Sequence, residues 1–276
     1  MTHWFLSPHA DDAVLSCGGQ IAMLTARDER AVIVTVMAGD PDPALTPGLF
    51  VEELWARWGL GRDSAVTEAR RAEDRAAAAV LGAEVELWPW PEAVYRTDTS
   101  LLYSDVNAIF GFIRPNDSAL REIMDGQRIH QFSRRVAADD TVHVPLGVGN
   151  HVDHQLVRIL SRMAFASRPD VYVIYYEEYP YSVRKRDAIA KTLAQFDTPE
   201  TRYTAIPVTH PIDNDALDKK IAAIACYQSQ ISTFWDNIES MTREVRHYTH
   251  QVGGEREQWL VLPEEYLKNN DRTTKS

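Results

Sequence analysis

Residues 3–38 read HWFLSPHADDAVLSCGGQIAMLTARDERAVIVTVMA, and this stretch decides the fold class. It contains two short apolar runs, 3–6 and 31–38, which are typical of buried strands. Between them, residues 14–27 show the apolar spacing of a helix and end in charged side chains. A strand, a helix and a second strand in this order form a β-α-β unit, which predicts parallel strands joined by a right-handed crossover.

The same alternation of strands and helices continues downstream. Further strands are predicted at 84–88, 141–145, 170–176, 201–208 and 258–262. Helices are predicted at 64–81, 101–113, 118–133, 152–164, 183–196 and 215–235, with a long loop at 39–63. The pattern predicts an α/β fold, with an open, mostly parallel Rossmann-like sheet and helices on both faces. We assign one domain to residues 1–267 and expect a polar, disordered tail at 268–276.

Composition excludes several classes of function. The chain has 276 residues, 45% of them hydrophobic and 25% charged, as expected for a globular protein with a substantial core. Its net charge of -11 disfavours nucleic acid and anionic membranes as partners. No apolar run approaches the roughly 20 residues that span a bilayer, and no secretory signal is visible. We therefore expect no membrane insertion and a cytoplasmic location.

The two cysteines, Cys17 and Cys226, do not form a thiolate metal site or a disulfide framework. Cys17 lies close to the polar residues that follow the first strand, but a small buried packing residue is the favoured interpretation. Any metal in this protein is therefore expected to be held by His and Asp.

Two polar clusters follow two of the predicted strands. The first cluster consists of His9, Asp11 and Asp12, and the second of His151, Asp153 and His154. Ligands of parallel α/β sheets bind outside the carboxyl ends of the strands, which is where both clusters fall. Each cluster alone could be a helix cap, a solvated turn or a surface pair. Together they predict a catalytic site.

The residue types in these clusters suit metal-assisted hydrolysis. If His9, Asp12 and His154 bind Zn²⁺, the fourth position of the ion is open for water. Asp11 can then act as general base when the zinc-bound water attacks a carbonyl group. A protonated His151 could stabilise the developing oxyanion and pass a proton to the leaving amine, with Asp153 holding its ring in orientation.

At these residues the chain resembles the LmbE-like (PIG-L) family of zinc-dependent N-acetyl-sugar deacetylases. The family's first motif is a small residue followed by His-Pro-Asp-Asp-Glu. The first cluster matches it, with Ala10 in place of proline and Ala13 in place of glutamate. The second cluster matches the family's later motif, His-x-Asp-His, in full. The resemblance implies the same roles: zinc ligands His9, Asp12 and His154, general base Asp11, and acid His151 oriented by Asp153.

Weaker similarities suggest residues that contact the substrate. Arg70 resembles a family arginine that helps to hold the sugar, although a solvated helix charge is an equal alternative. Residues 92–96 (EAVYR) resemble a family segment of glycan-tailoring members and add Tyr95 and Arg96. Aromatic residues that could stack on a sugar ring, or equally lie in the core, are Phe50, Trp55, Trp58, Trp88, Trp90 and Tyr95.

The sequence thus predicts a zinc-dependent hydrolase that removes an N-acetyl group from an amino sugar or glycoconjugate. Fe²⁺ accepts the same ligands as Zn²⁺. The expected partner is a small-molecule substrate, and the sequence is compatible with a monomer or an oligomer. One alternative is a metallohydrolase of a non-sugar amide or ester, and another is a catalytically inactive sugar-binding module. A Rossmann nucleotide-binding protein is a weaker alternative, because no GxGxxG follows the first strand.

Overall fold

One seven-stranded sheet organises the computed structural model, which describes residues 1–60, 65–184, 186–197 and 203–261. In chain order the strands are β1 (Thr2–Ser7), β2 (Arg30–Thr35), β3 (Glu84–Leu87), β4 (Thr141–Pro145), β5 (Tyr172–Tyr176), β6 (Thr204–His210) and β7 (Glu255–Val261). Their spatial order is β3-β2-β1-β4-β5-β7-β6. β1 to β5 pair in parallel, whereas β7 pairs antiparallel with β5 and β6. The predicted single-domain, mostly parallel α/β sheet is confirmed.

Helices cover both faces of this sheet. The helices of the described residues are α1 (Asp12–Thr25), α2 (Leu49–Arg57), α3 (Ala65–Leu81), α4 (Val106–Ile109), α5 (Ser118–Asp125), α6 (Gln127–Arg135), α7 (Val152–Phe165), α8 (Tyr181–Arg184), α9 (Arg186–Leu193), α10 (Asn214–Ile224), α11 (Gln228–Phe234) and α12 (Ile238–Val252). A short 3₁₀ turn lies at Ala93–Tyr95. None of the helices within the described ranges is long and apolar enough to cross a membrane.

Alternation along β1 explains the two-sided core. Phe5 is fully buried in a cluster with α1, α3 and α10 on one face. Trp4 and Leu6 point to the other face and pack with α6 and α7. Because successive side chains of a strand point in opposite directions, one apolar run supplies both cores. A third cluster, which includes Val51 of α2 and Val152 of α7, packs beyond the sheet.

The topology places a crevice beside β1. Helix α1 follows β1 and packs on one face, whereas α7 follows the neighbouring strand β4 and packs on the other. The two crossovers diverge at this point, and such a switch point in an open α/β sheet is where ligands bind. Asp12 begins α1 and Val152 begins α7, so both polar clusters flank the crevice.

Several predicted helices were wrong in length. Of the helix predicted at 101–113, only α4 forms, with Asp105 accepting from the backbone N–H of Ala108 as its N-cap. The helix predicted at 118–133 is divided into α5 and α6 by Gly126, whose φ of 74° ends α5. Because residues in this left-handed region do not continue an α-helix, the break follows from the glycine.

The prediction of one long helix at 215–235 was also wrong. It is divided into α10 and α11, and α12 follows with a capping box formed by Asn237 and Ser240. Helix α2 lies within the region predicted as a loop. The predicted helix 183–196 corresponds to α8 and α9, with residue 185 outside the described residues. The predicted tail 268–276 also lies outside them.

Candidate active site

Donor atoms from the two clusters converge at the carboxyl ends of β1 and β4. Asp12 Oδ2 lies 3.1 Å from His9 Nδ1 and 3.3 Å from His154 Nε2. One donor atom from each of these three residues can be chosen so that all lie within 4.8 Å of one another. Asp12 and His154 are buried, and His9 is partly buried.

A buried carboxylate supports each of the two imidazoles from behind. Nε2 of His9 lies 2.9 Å from Asp153 Oδ2, and Nδ1 of His154 lies 3.0 Å from Glu178 Oε1. Each ring therefore has one nitrogen bound to a carboxylate and the other directed at Asp12. Metal-binding histidines are typically held in this way, because the carboxylate fixes the ring and its tautomer.

The donor set fits a divalent transition metal. Tetrahedral Zn²⁺ with ligand bonds of about 2.0–2.2 Å separates its ligand atoms by roughly 3.3 Å, which is close to the two distances from Asp12 Oδ2. A second group, His9, His151 and Asp153, also brings donor atoms within 4.8 Å. It is less suitable, because the Asp153 carboxylate already binds Arg96 and the backbone N–H of Ala93.

The charges of His9, Asp12 and His154 stabilise one another. Burial alone would raise the pKa of Asp12, but His154 and His9 hold it well below its usual range. Burial likewise lowers the pKa of His154, yet Asp12 and Glu178 outweigh it and raise the pKa to about 9. The group thus concentrates negative charge where two imidazoles, or a cation between them, can neutralise it.

Asp11 differs from its neighbour Asp12 in backbone geometry and in the direction of its pKa shift. Its φ of 149° lies in a region that L-residues rarely adopt, and such strain is concentrated at functional sites. Burial and the Asp12 charge together raise the pKa of Asp11 well above its usual value. Two adjacent carboxylates therefore have opposite pKa shifts, which is a pattern of acid–base sites.

His151 is the N-cap of α7. Its Nδ1 accepts a hydrogen bond of 3.2 Å from the backbone N–H of Asp153, so the neutral ring carries its proton on Nε2. Burial and neighbouring His9 lower the pKa of His151 well below its usual value. A neutral ring, which can donate from Nε2, is therefore favoured over the expected imidazolium. The preceding residue, Asn150, does not cap the helix, and its amide donates to the carbonyl of Gly111.

Two predictions about the support of this site need correction. The Asp153 carboxylate lies 4.0 Å from His151 Nδ1 but 2.9 Å from His9 Nε2, so it holds His9, and only its backbone N–H holds His151. Arg96 was expected to contact substrate, but its side chain is fully buried. It pairs with Asp153 at 2.6 Å and with Asp117 at 3.0 Å. Arg96 therefore supports the site from behind.

A cavity of about 260 Å³ opens over the converging donors. Asp11, Asp12, His9, His151 and His154 line it, together with residues of α2, α3, α4 and α11. The remaining lining residues are Phe50, Leu54, Arg57, Trp58, Arg70, Glu92, Val94, Val106, Ile109, Phe110, Tyr181, Gln230, Thr233 and Phe234.

Arg70 is held rigidly in the wall of this cavity. Its Nε lies 3.2 Å from Glu92 Oε1, and its guanidinium stacks 4.9 Å from the ring centroid of Trp58. Among the described residues, neither Nη1 nor Nε donates a hydrogen bond, since the contact of Nε with Glu92 is an ion pair without hydrogen-bond geometry. The position suits the predicted sugar contact better than a solvated helix charge.

Of the aromatic residues proposed for sugar stacking, Phe50 and Trp58 line the cavity. Trp55, Trp88, Trp90 and Tyr95 are buried in the core instead. Tyr95 was expected to contact substrate, but its hydroxyl accepts a hydrogen bond from Trp55 Nε1 and is outside the lining. Its place in the core is explained by this bond.

The other histidines lie outside the cavity lining. His143 is buried, stacked 4.1 Å from Phe5, and bonded to Glu257. His130, His247 and His250 are exposed. His210 is partly exposed, and its Nε2 lies 2.5 Å from Glu257 Oε2. The acidic partner lies 47 positions away in sequence, so local context did not reveal it.

The sequence did not predict that Glu178 supports the site, nor that three aromatic side chains meet in the cavity wall. Glu178 is buried behind His154 and also accepts backbone hydrogen bonds from Gly147 and Val148. A signal was present, because Glu178 follows the carboxyl end of β5 as Asp11 follows β1. Phe110, Tyr181 and Phe234 come from three separate segments, and no local pattern indicates that they meet.

Comparisons with known proteins agree with this geometry. The chain is 27% identical over 213 residues to the 2'-N-acetylparomamine deacetylase of Niallia circulans, covering 73% of this chain and 75% of the relative. It is 30% identical over 190 residues to the 2'-N-acetylparomamine deacetylase of Streptomyces fradiae, covering 67% of this chain and 58% of that relative.

Solved structures show the same fold. The zinc-inhibited form of teicoplanin deacetylase Orf2 superposes with a TM-score of 0.75 at 22% identity, covering 95% of this chain and 98% of that one. The A40926 pseudoaglycone deacetylase Dbv21 gives a TM-score of 0.72 at 23% identity, covering 94% and 96%. A family model described as PIG-L, GlcNAc-PI de-N-acetylase, matches residues 4–165, which include both polar clusters. The chain therefore belongs to the PIG-L family.

Proposed function

We propose that this protein is a metal-dependent hydrolase that removes an N-acetyl group from an amino sugar or glycoconjugate. The observation that carries the proposal is the convergence of His9, Asp12 and His154 beside Asp11 and His151 in one cavity. The family and the activity named for both curated relatives support the reaction type.

The proposed metal ligands are His9, Asp12 and His154, with Zn²⁺ as the simplest ion and Fe²⁺ as the alternative. When bound, such an ion supplies Lewis-acid polarisation of a water molecule and of the amide carbonyl. Asp153 and Glu178 hold the two imidazoles from behind. This support keeps both rings directed at the same point.

Asp11 acts as the general base in this proposal. It takes a proton as the water oxygen bonds to the amide carbon, from its place in the cavity lining beside Asp12. The protonated Asp11 then delivers the proton to the departing amine nitrogen as the C–N bond breaks. The products are acetate and a free amino sugar.

His151 stabilises the charge that develops on the carbonyl oxygen. The backbone N–H of Asp153 fixes its Nδ1 as an acceptor, so Nε2–H is available to donate. A neutral donor that is already oriented stabilises an oxyanion without reorganisation. Arg70 and Glu92, in the wall, are placed to bind hydroxyl groups of the sugar.

Acetate release tests the proposal directly. Purified protein reconstituted with Zn²⁺ or Fe²⁺ is assayed on N-acetylated amino sugars, on non-sugar acetamides and on acetate esters. We expect acetate from the N-acetyl sugars, at a kcat/KM at least about tenfold above that for the non-sugar compounds. Faster turnover of simple amides or esters would favour the alternative metallohydrolase. Binding of the sugars with no acetate from any compound would favour the inactive sugar-binding module.

A further inference from the structure

The active-site cavity has a polar floor and an apolar wall. Phe110, Tyr181 and Phe234, which we call the aromatic strip, form a continuous part of this wall. Ring centroids are 6.2 Å apart for Phe110 and Tyr181 and 6.0 Å apart for Tyr181 and Phe234. Phe110 also packs edge-on against His151, at 5.3 Å. The strip therefore adjoins the proposed reaction centre through Phe110 and extends through Tyr181 to Phe234.

Apolar side chains continue to the mouth of the cavity. Val106 lines the cavity and is 54% exposed, which places it at the opening. Phe50 also lines the cavity, and its neighbour Leu49 is 79% exposed. Large apolar residues at the rim of a ligand site indicate a surface that is covered when the ligand binds.

The charges of the wall disfavour a cationic ligand. Two guanidinium groups, those of Arg57 and Arg70, line the cavity. Among the carboxylates that line it within the described ranges, Glu92 is bound to Arg70 and Asp12 to two imidazoles. The remaining one, Asp11, belongs to the reaction centre. The Arg70–Glu92 pair is neutral overall, so an ammonium group on the ligand would meet the cation of Arg57 and no unpaired carboxylate outside the reaction centre.

The size of the cavity limits how much of a glycoconjugate it encloses. Its volume of about 260 Å³ is smaller than the roughly 300–1,000 Å³ of pockets that hold a drug-sized ligand. The N-acetylated sugar must occupy the floor, where the reaction takes place. A group attached to that sugar must therefore extend along the wall to the mouth.

We infer that the substrate is an N-acetylated amino sugar joined to an uncharged apolar group, aromatic or alkyl, which lies along the aromatic strip. This inference rests on the proposed deacetylase function and specifies its substrate class. Burial of the attached group against Phe110, Tyr181 and Phe234 would supply binding energy through the hydrophobic effect.

Three glycosides of N-acetylglucosamine that differ only at the anomeric substituent test the inference. They carry a phenyl group, a methyl group or a cationic 2-aminoethyl group. With the metal-reconstituted enzyme we expect kcat/KM for the phenyl glycoside to be about tenfold above that for the methyl glycoside. The 2-aminoethyl glycoside should be the poorest of the three, and calorimetric Kd values should follow the same order.

Variants of the aromatic strip test whether it is the source of the preference for the phenyl glycoside. Phe110→Ser and Phe234→Ser should lower the phenyl-to-methyl ratio of kcat/KM toward one, and Phe110→Leu should retain most of it. Tyr172→Ser is the matched control, since Tyr172 is 50% exposed at the amino end of β5 and is outside the lining. Its phenyl-to-methyl ratio should equal that of the wild type.

The outcomes separate this inference from the proposed function. Equal turnover of all three glycosides, or preference for the 2-aminoethyl compound, would overturn the apolar assignment and leave deacetylation intact. A phenyl preference that survives both serine variants would also overturn it, because the strip would not be its source. Failure of all three glycosides to release acetate would contradict the proposed function and the inference together.

Discussion

Two buried groups of histidines and carboxylates lie on this sheet, and they differ in how their polar atoms are directed. In the group at the carboxyl ends of β1 and β4, two imidazoles and a carboxylate converge on one point and line a cavity. The second group, the histidine chain, runs along one face of the sheet and consists of Glu29, His3, His143, Glu257 and His210.

The contacts of the histidine chain are sequential rather than convergent. His3 Nδ1 lies 3.2 Å from His143 Nε2, and His143 Nδ1 lies 2.6 Å from Glu257 Oε1. Nitrogens of the chain are thus bound to one neighbour after another, and the described residues form no three-donor group there. Burial of histidine beside a carboxylate therefore does not define a metal site. Convergence of three donor atoms on one point in the wall of a cavity does.

The largest difference between the two groups should follow removal of one histidine from each. His154→Ala should abolish metal binding and reduce deacetylation by more than about a thousandfold, because it removes a proposed ligand. His143→Ala should destabilise the fold and leave kcat per folded molecule near the wild-type value. Metal content by mass spectrometry and acetate release measure both. Loss of metal from His143→Ala alone would reverse the assignment.

Two buried aspartates with raised pKa values give the next comparison. Burial raises the pKa of Asp11 and of Asp74, but Asp74 accepts from Thr35 and Tyr227 and is outside the cavity lining. Asp11→Asn should retain the metal and lose about 10²–10⁴-fold in kcat, since an amide does not accept the proton. Asp74→Asn should change kcat little. Near-wild-type turnover by Asp11→Asn would remove Asp11 from the mechanism.

Replacing one glutamate behind a histidine in each group should have a smaller effect. Glu178→Gln should weaken metal binding about 10–100-fold, because the carboxylate that fixes the His154 ring is lost. Glu257→Gln removes a matched carboxylate from the histidine chain and should leave metal affinity unchanged. Competition with a fluorescent chelator measures both affinities. Equal weakening in the two variants would indicate a general effect of packing.

The smallest effect on activity, but a clear one on stability, is expected for Glu257→Gln itself. Burial opposes ionisation of Glu257, yet His143 and His210 lower its pKa to about 2 from 4.5. Because the folded-state pKa is depressed, this stabilisation is present above about pH 4.5 and is lost as the pH falls toward 2. Urea unfolding should show a deficit of about 3 kcal/mol at pH 7 that shrinks on acidification. A deficit independent of pH would contradict the ion pair.

The sequence predicted those parts of the site in which polar residues closely follow a predicted strand. His9, Asp11 and Asp12 follow one strand, His151 and His154 follow another, and strand-end position alone was enough to bring them together. The prediction of the topology needed only the β-α-β pattern, which two short apolar runs and a regular helix between them make visible.

The parts that could not be predicted depend on contacts between distant segments. Glu178 and Arg96 act through partners far away in sequence, and Arg96 resembled a substrate contact because local sequence does not report burial. The single helix predicted at 101–113 does not form at full length, because its apolar side chains pack around α2. Tertiary packing decided each case.

Anomalous diffraction from crystals of the zinc-loaded protein tests the central claim most directly. We expect one peak at about 2.0–2.2 Å from a ring nitrogen of His9, from Nε2 of His154 and from a carboxylate oxygen of Asp12. A peak bound instead by His9, His151 and Asp153 would contradict the account. So would crystals in which zinc occupies a site outside the cavity and the cavity shows no peak.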